Sequence, residues 1–274
     1  NSNSNQIPLA ILNDRSEEMI VSLRNGTPLT PTVTISCAVG DITSFSALNG
    51  LFMKKRSICS ANFSGAVINA ANGNLIYGLG IAQALRRAGG PILDSESAAL
   101  MAEYAKYNKK PLPAGGATVT GPGNMANYKK IIQAIGPVVG GKNPTPEERF
   151  RLMQAYQQIF RVAELYGCDK LIIPFLSTGQ FGFETKMGMQ TALLAVLNKL
   201  PAHGIREVVF VCNDKRKIET FKKIAKGTLP LHLQSRKHAT HLLVNHCAAI
   251  RFDILPSIKA RVKKEIDDLF DVTR

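Results

Sequence analysis

The chain contains no tryptophan, and aromatic residues make up only 7% of its 274 positions. Single-stranded nucleic acid is commonly held by stacking bases on aromatic faces, so a stacking platform finds little support, least of all near the C-terminal end. The five cysteines stand far apart at 37, 59, 168, 212 and 247, an odd number without a Cys-x-x-Cys pair. That argues against a disulfide framework and for a reducing compartment, cytoplasmic or otherwise intracellular. Cys37 and Cys212 fall within apolar strand-like runs, where a free thiol serves as a small core residue. No stretch reaches the roughly 18 consecutive apolar residues of a membrane span. The polar start Asn1-Ser2-Asn3-Ser4-Asn5 also lacks the apolar core of a signal peptide. Acidic residues are outnumbered, 20 Asp/Glu against 34 Lys/Arg, and the net charge is +14. Residues 215–274 hold fourteen of the cations against six acids, so the basic end suits an acidic partner, nucleic acid or anionic lipid, or else is a solvated helix surface.

A hydrophobic content of 45% is enough for a proper core. Residues 18–24 and 32–39 read as strands around the turn-rich Asn25-Gly26-Thr27-Pro28. A helix is expected from Ile81, stopped by Gly89-Gly90, and a second over Ser95–Lys109, ended by Pro111. Thr145-Pro146-Glu147-Glu148 supplies an N-cap, a first-turn proline and a capping-box glutamate for a helix running to Tyr166. A strand at 170–176, a helix near 186–200, a strand at 207–212 and a basic helix at 215–225 follow. Strands alternating with helices imply an α/β fold whose mostly parallel sheet is covered on both faces.

Ser44–Gly65, with Met53-Lys54-Lys55-Arg56, is long for a connection and reads as an insertion governing access to a site. After Gly227 the pattern changes. The expected organisation is an N-terminal segment 1–31, a domain 32–226 with an insertion at 44–65, and a basic, helical C-terminal extension 227–274. His238, His241, His246 and Cys247 lack the tight, paired spacing of a structural zinc site, so no metal is assigned.

The most informative stretch is Val67-Ile68-Asn69-Ala70-Ala71-Asn72, followed by Gly78-Leu79-Gly80-Ile81-Ala82. It reads as strand, turn, glycine loop and helix start, an arrangement that leaves backbone N–H groups unpaired for phosphate. One glycine pattern is weak, but three further segments accompany it. Gly40-Asp41-Ile42-Thr43 closes the apolar run from Val33. Ile131–Pro137 ends in Ala134-Ile135-Gly136-Pro137. Leu171–Leu176 breaks into a second glycine loop, Ser177-Thr178-Gly179-Gln180-Phe181-Gly182. In an open α/β sheet, ligands bind beyond the carboxyl ends of strands, and all these segments follow strand ends.

In this order the segments resemble the macrodomain family over roughly Val33 to Ala225. The resemblance implies a three-layer α/β/α macrodomain that binds ADP-ribose and needs no cofactor. It further implies that Asp41, with Ile42, takes the adenine, that Asn72 holds the distal ribose, and that Asn69 braces the loop. Gly78, Leu79, Gly80 and Ile81 would form one clamp on the diphosphate. Ser177, Thr178, Gly179, Gln180 and Phe181 would form the other, with Phe181 against the distal ribose. The partner would be ADP-ribose, an ADP-ribosylated protein or, through the basic end, poly(ADP-ribose).

Three positions depart from the family pattern. Leu79 replaces a glycine, Asn213 stands where many relatives place an aromatic on the adenine, and Ala82 stands where the best-known hydrolytic subgroup has aspartate. Hydrolysis of mono-ADP-ribose from proteins would then rely on a water oriented by Asn72 and the ligand's phosphate, or on a carboxylate of Asp94, Glu96 or Glu184. Asn72 and Glu184 are the candidate catalytic residues. The alternative is a reader that binds ADP-ribose or ADP-ribosylated partners without turnover.

Overall fold

Residues 19–23, 33–43, 65–108, 111–199 and 204–234 are described by a computed structural model. Their strands are β1 (Met19–Leu23), β2 (Val33–Val39), β3 (Gly65–Ala71), β4 (Ala117–Thr120), β5 (Lys130–Ile135), β6 (Lys170–Ile173) and β7 (Glu207–Cys212). The helices are α1 (Ile81–Gly89), α2 (Ile92–Ala105), α3 (Pro146–Leu165), α4 (Thr185–Lys199) and α5 (Lys215–Gln234). All seven strands join one sheet in the order β1-β2-β7-β6-β3-β5-β4. The four inner pairings are parallel, and the edge strands β1 and β4 run antiparallel to their neighbours.

Alternation along the strands sorts the core into two layers, as the twofold side-chain period requires. Ile35, Cys37, Ala66, Ile68, Ile132, Ala134, Leu171, Ile173, Val208 and Phe210 face α3, α4 and α5. Ala38, Val67, Ile131, Ile172, Val209 and Val211 face the other way, against Leu85 of α1 and Leu93 of α2. Near-continuous apolar strands between two helical layers give the three-layer α/β/α arrangement expected of the sequence.

The start of α3 forms as its sequence predicts. Thr145 Oγ1 accepts from the Glu148 amide at 3.2 Å, while the Glu148 carboxylate accepts from the Thr145 amide at 2.7 Å. Other boundaries differ. The strand read within the N-terminal segment 1–31 is β1, an integral edge of the sheet. The short β4, set between Gly116 and Gly121, carries too few residues to stand out in the sequence. Helix α5 continues nine residues past Ala225, through Gly227 and Pro230. A helical glycine costs only about 1 kcal/mol relative to alanine, too little to end a helix whose first half is anchored by the buried Ile218, Phe221 and Ala225. The insertion up to residue 64, Cys59, the histidine run with Cys247 and the rest of the C-terminal extension beyond residue 234 lie outside the described residues.

Candidate functional site

Four neighbouring strands deliver their carboxyl ends to one edge. In sheet order, β2 leads to Asp41, β7 to Asn213, β6 to Ser177–Phe181, and β3 to Asn72 and the glycine loop. With strands about 4.8 Å apart, the row from β2 to β3 spans roughly 14 Å, long enough for an extended ligand lying across the strand ends. The next strand, β5, leads into Gly136–Gly141 beside the same edge.

At one end, Gly40 donates to the carbonyl of Cys212 at 3.0 Å and ties the exits of β2 and β7 together. Asp41 is exposed, and its carboxylate accepts from the Thr43 amide and hydroxyl, both at 2.8 Å. One oxygen carries both bonds, which leaves the other open to a ligand donor. Ile42 is buried, and its carbonyl accepts a 2.8 Å bond from the Tyr128 hydroxyl. Burial, and next the nearby Asp41 charge, push the Tyr128 phenol well above its usual range. The neutral hydroxyl is thereby kept as the donor that fixes this turn. Asn213 is exposed beside it.

At the other end, Asn72 shapes its own loop. Its Nδ2 donates to the Ile76 carbonyl at 2.7 Å, and its Oδ1 accepts from the amides of Asn74 and Ile76, each at 3.1 Å. These bonds hold Leu75 at φ 55, a left-handed conformation that a bulky residue adopts only when its surroundings impose it. Asn69 lies beneath, 2% exposed, donating to Gln133 Oε1 at 2.8 Å. Gln133, on β5 directly beside Asn69, donates to the hydroxyls of Tyr77 at 2.7 Å and Thr120 at 2.9 Å. A buried polar network thus reaches from three strands to the residue preceding the glycine loop.

Beyond Tyr77 the chain turns through Gly78, Leu79 and Gly80 into α1. Gly80, at φ 67, is the N-cap and supplies no side-chain acceptor, and the first turn holds no acid. Among the described residues, none pairs with the backbone amides of Leu79, Gly80, Ile81 or Ala82. Leu79 is 62% exposed, so its side chain points away from the core.

The second loop faces the first across the adjacent exits of β6 and β3. Ser177 takes φ 62, and Phe183 donates to its carbonyl at 2.9 Å. The Thr178 hydroxyl bonds the carbonyl of Phe175 at 2.9 Å. The carbonyl of Phe181 accepts from Val139 at 2.7 Å and Gly140 at 3.0 Å, strapping the loop to the β5 exit. The amides of Gly179, Gln180 and Phe181 have no backbone partner among the described residues. Two sets of unpaired amides therefore face one edge without an acid among them, an arrangement suited to an anion.

The candidate carboxylates are all engaged. Asp94 pairs with Arg86, and Glu96 accepts from the Gly121 amide at 2.6 Å. Glu184 accepts from the amides of Lys186 at 2.9 Å and Met187 at 2.6 Å, capping α4. Burial also pushes the Cys168 thiol up, away from thiolate character. Among the described residues, no group of three His, Cys, Asp or Glu could hold a metal, and no helix is long and apolar enough to cross a membrane. Tyr128, Gln133 and Lys217 support the site without having been singled out beforehand. Gln133 alone left a trace in the sequence, as a polar residue inside the apolar run Ile131–Ile135.

Residues 68–192 match the family model described as Macro domain. A macro domain-containing protein of Caldanaerobacter subterraneus subsp. tengcongensis is 33% identical over 158 residues, covering 58% of this chain and 86% of that one. O-acetyl-ADP-ribose deacetylase 1 of Pantoea vagans is 29% identical over 161 residues, with 58% and 89% covered. Among solved structures, a mutant of the Oceanobacillus iheyensis macrodomain with ADPR superposes at a TM-score of 0.61 and 22% identity. That alignment covers 77% of this chain and 98% of the other and concerns the fold alone.

Proposed function

The chain belongs to the macrodomain family, and from that premise we propose that its cleft binds ADP-ribose and that it removes mono-ADP-ribose from proteins. The observation that carries the reading is the pair of unpaired-amide loops at the adjacent exits of β6 and β3, with Asp41 two strands beyond β6. Their spacing suits a ligand with adenine at one end, a diphosphate in the middle and a ribose at the other. Asp41 accepts from the adenine amine beside Ile42 and Asn213. Leu79, Gly80 and Ile81 clamp the diphosphate from one side, and Gly179, Gln180 and Phe181 from the other. Two neutral clamps can hold a dianion.

Asn72 Nδ2 bonds Ile76 with one hydrogen, which leaves the second for a hydroxyl of the distal ribose. In the hydrolytic step, water attacks the anomeric carbon of that ribose while its bond to the protein carboxylate breaks. The carboxylate leaves with the bonding pair, and the water's proton passes to a phosphate oxygen or to solvent. Asn72 acts by orienting the ribose, a gain in effective concentration rather than acid–base chemistry. The name of the Pantoea vagans relative, O-acetyl-ADP-ribose deacetylase 1, supports a carboxylate ester of ADP-ribose as the substrate class.

One observation favours a second reading, a reader without turnover. Ala82 offers no base, and Asp94, Glu96 and Glu184 are engaged in structural bonds. Incubation with a protein mono-ADP-ribosylated on Asp or Glu separates the two. The proposed enzyme releases ADP-ribose, and Asn72→Ala slows release roughly a hundredfold, the scale of a lost positioning contact. Binding without release by the parent protein would leave the reader.

A further inference from the structure

The first turn of α5 is built against its own helix dipole. Lys215, Arg216 and Lys217 open the helix, its first turn contains no acid, and the dipole already places partial positive charge there. Asp214 offsets part of this by accepting from the Arg216 amide at 2.9 Å.

The turn sits between the two ends of the proposed cleft. It follows β7, whose exit is tied to Gly40 beside Asp41. Its third residue, Lys217, is half-buried and directs its ammonium to the carbonyl of Thr178 in the second loop, at 3.3 Å. The aromatic cluster beneath fixes this geometry. Phe175, just before that loop, stacks on Phe210 of β7 with centroids 5.5 Å apart, and Phe221 of α5 packs on both, at 5.0 Å and 4.8 Å. With Ile218 and Phe221 at 1% and 0% exposure, α5 cannot shift independently of the loop.

We propose that Lys217 is a specificity-determining residue of the cleft, a single ammonium tethered to the Thr178 carbonyl that adds positive charge to the diphosphate clamp and selects ligands by their phosphate charge. This rests on the ADP-ribose reading. The Thr178 carbonyl and the Gly179 amide of the same trans peptide point in opposite directions, so the ammonium on that carbonyl acts on a phosphate held by the Gly179 amide through its charge, across the peptide, rather than by a direct bond. The clamp then holds a dianion with one full charge besides backbone dipoles, so affinity falls with ionic strength and this contribution is lost for a ligand without phosphate.

Isothermal titration of ADP-ribose, AMP and adenosine into the parent, Lys217→Met and Lys217→Arg, each at low and high salt, tests this. Lys217→Met is expected to weaken ADP-ribose about fivefold to tenfold, the effect of one partly screened charge beside the clamp. It should weaken AMP less, leave adenosine within twofold and flatten the salt dependence, while Lys217→Arg restores both affinity and salt dependence. Equal weakening of all three ligands, or unchanged ADP-ribose binding with unchanged salt dependence, overturns the role of Lys217 and leaves the ADP-ribose site standing. Failure of the parent itself to bind ADP-ribose overturns both.

Discussion

Gly136 and Ser177 meet where the β5 exit passes under the second loop, and their contact yields a quantitative test of how that loop is held. A Cβ on Gly136 would lie 2.1 Å from Ser177 Oγ, whereas its next contacts, Ser177 Cβ at 3.4 Å and Leu152 Cδ1 at 3.7 Å, are ordinary. Gly136 does not use the left-handed region, so alanine is resisted by the hydroxyl alone. Overpacking of this kind costs about 1–3 kcal/mol, and about 2 kcal/mol is expected for Gly136→Ala. Ser177 is itself unfavourable, with a non-glycine residue at φ 62 and a buried Oγ lacking a partner among the described residues. Left-handed backbone costs about 1–2 kcal/mol and an orphaned hydroxyl about 1–3, against about 0.5–1 kcal/mol of chain entropy for a new glycine. Ser177→Gly should therefore stabilise the protein by at least about 1 kcal/mol. In that background Gly136→Ala meets only Leu152 and should be nearly neutral, giving a coupling of about 1.5–2 kcal/mol in a double-mutant cycle. Urea denaturation of the four proteins measures it, through midpoints at constant m. An equal cost of Gly136→Ala in both backgrounds would refute the reasoning, because the clash would then not lie with the Ser177 hydroxyl. A strained residue retained at such a loop suggests that its conformation serves the ligand. The stabilised Ser177→Gly variant should accordingly bind ADP-ribose more weakly.

Glu184→Ala removes both acceptors at the start of α4. It should cost about 1 kcal/mol in urea denaturation, the usual worth of a cap, with ADP-ribose affinity and turnover kept within about twofold; lost turnover in the folded variant would make Glu184 the catalytic carboxylate. Tyr128 and Tyr156 both have phenols raised by burial above the usual 10.0. The folded state keeps these protons when the unfolded chain loses them, so their contribution to stability is whole below pH 10 and declines above it. Each contributes a slope of about 1.4 kcal/mol per pH unit there. Tyr156→Phe should halve the decline that both phenols produce, and an unchanged pH dependence would exclude Tyr156 as a source.

Where the sequence carried periodicity or a cap, the fold was legible. The apolar runs of β3, β6 and β7 and the Thr145–Glu148 capping box led directly to the observed elements. The strand expected at 18–24 is β1, whereas β4 and the end of α5 were harder to place for physical reasons. β4 is four residues between glycines, and α5 tolerates Gly227 and Pro230 once its first half is anchored in the core. The site was legible as motifs at strand ends, because glycines and asparagines announce backbone conformations a phosphate loop needs. Its supports were not. Tyr128 reaches Ile42 from 86 residues away and Gln133 reaches Tyr77 from 56, distances over which sequence has no local pattern. The bonds that engage Asn72 and Glu184 were equally invisible, since only the folded chain shows which partners a side chain has already taken.

The most direct test of the central claim is calorimetric titration of ADP-ribose, with AMP alongside, into the parent protein and Asp41→Ala. The account predicts micromolar ADP-ribose binding by the parent, weaker binding of AMP, which engages less of the clamp, and a loss of about tenfold or more for Asp41→Ala, as for a hydrogen bond to a charged group. Absence of ADP-ribose binding by the folded parent, or equal affinity in Asp41→Ala, would contradict it.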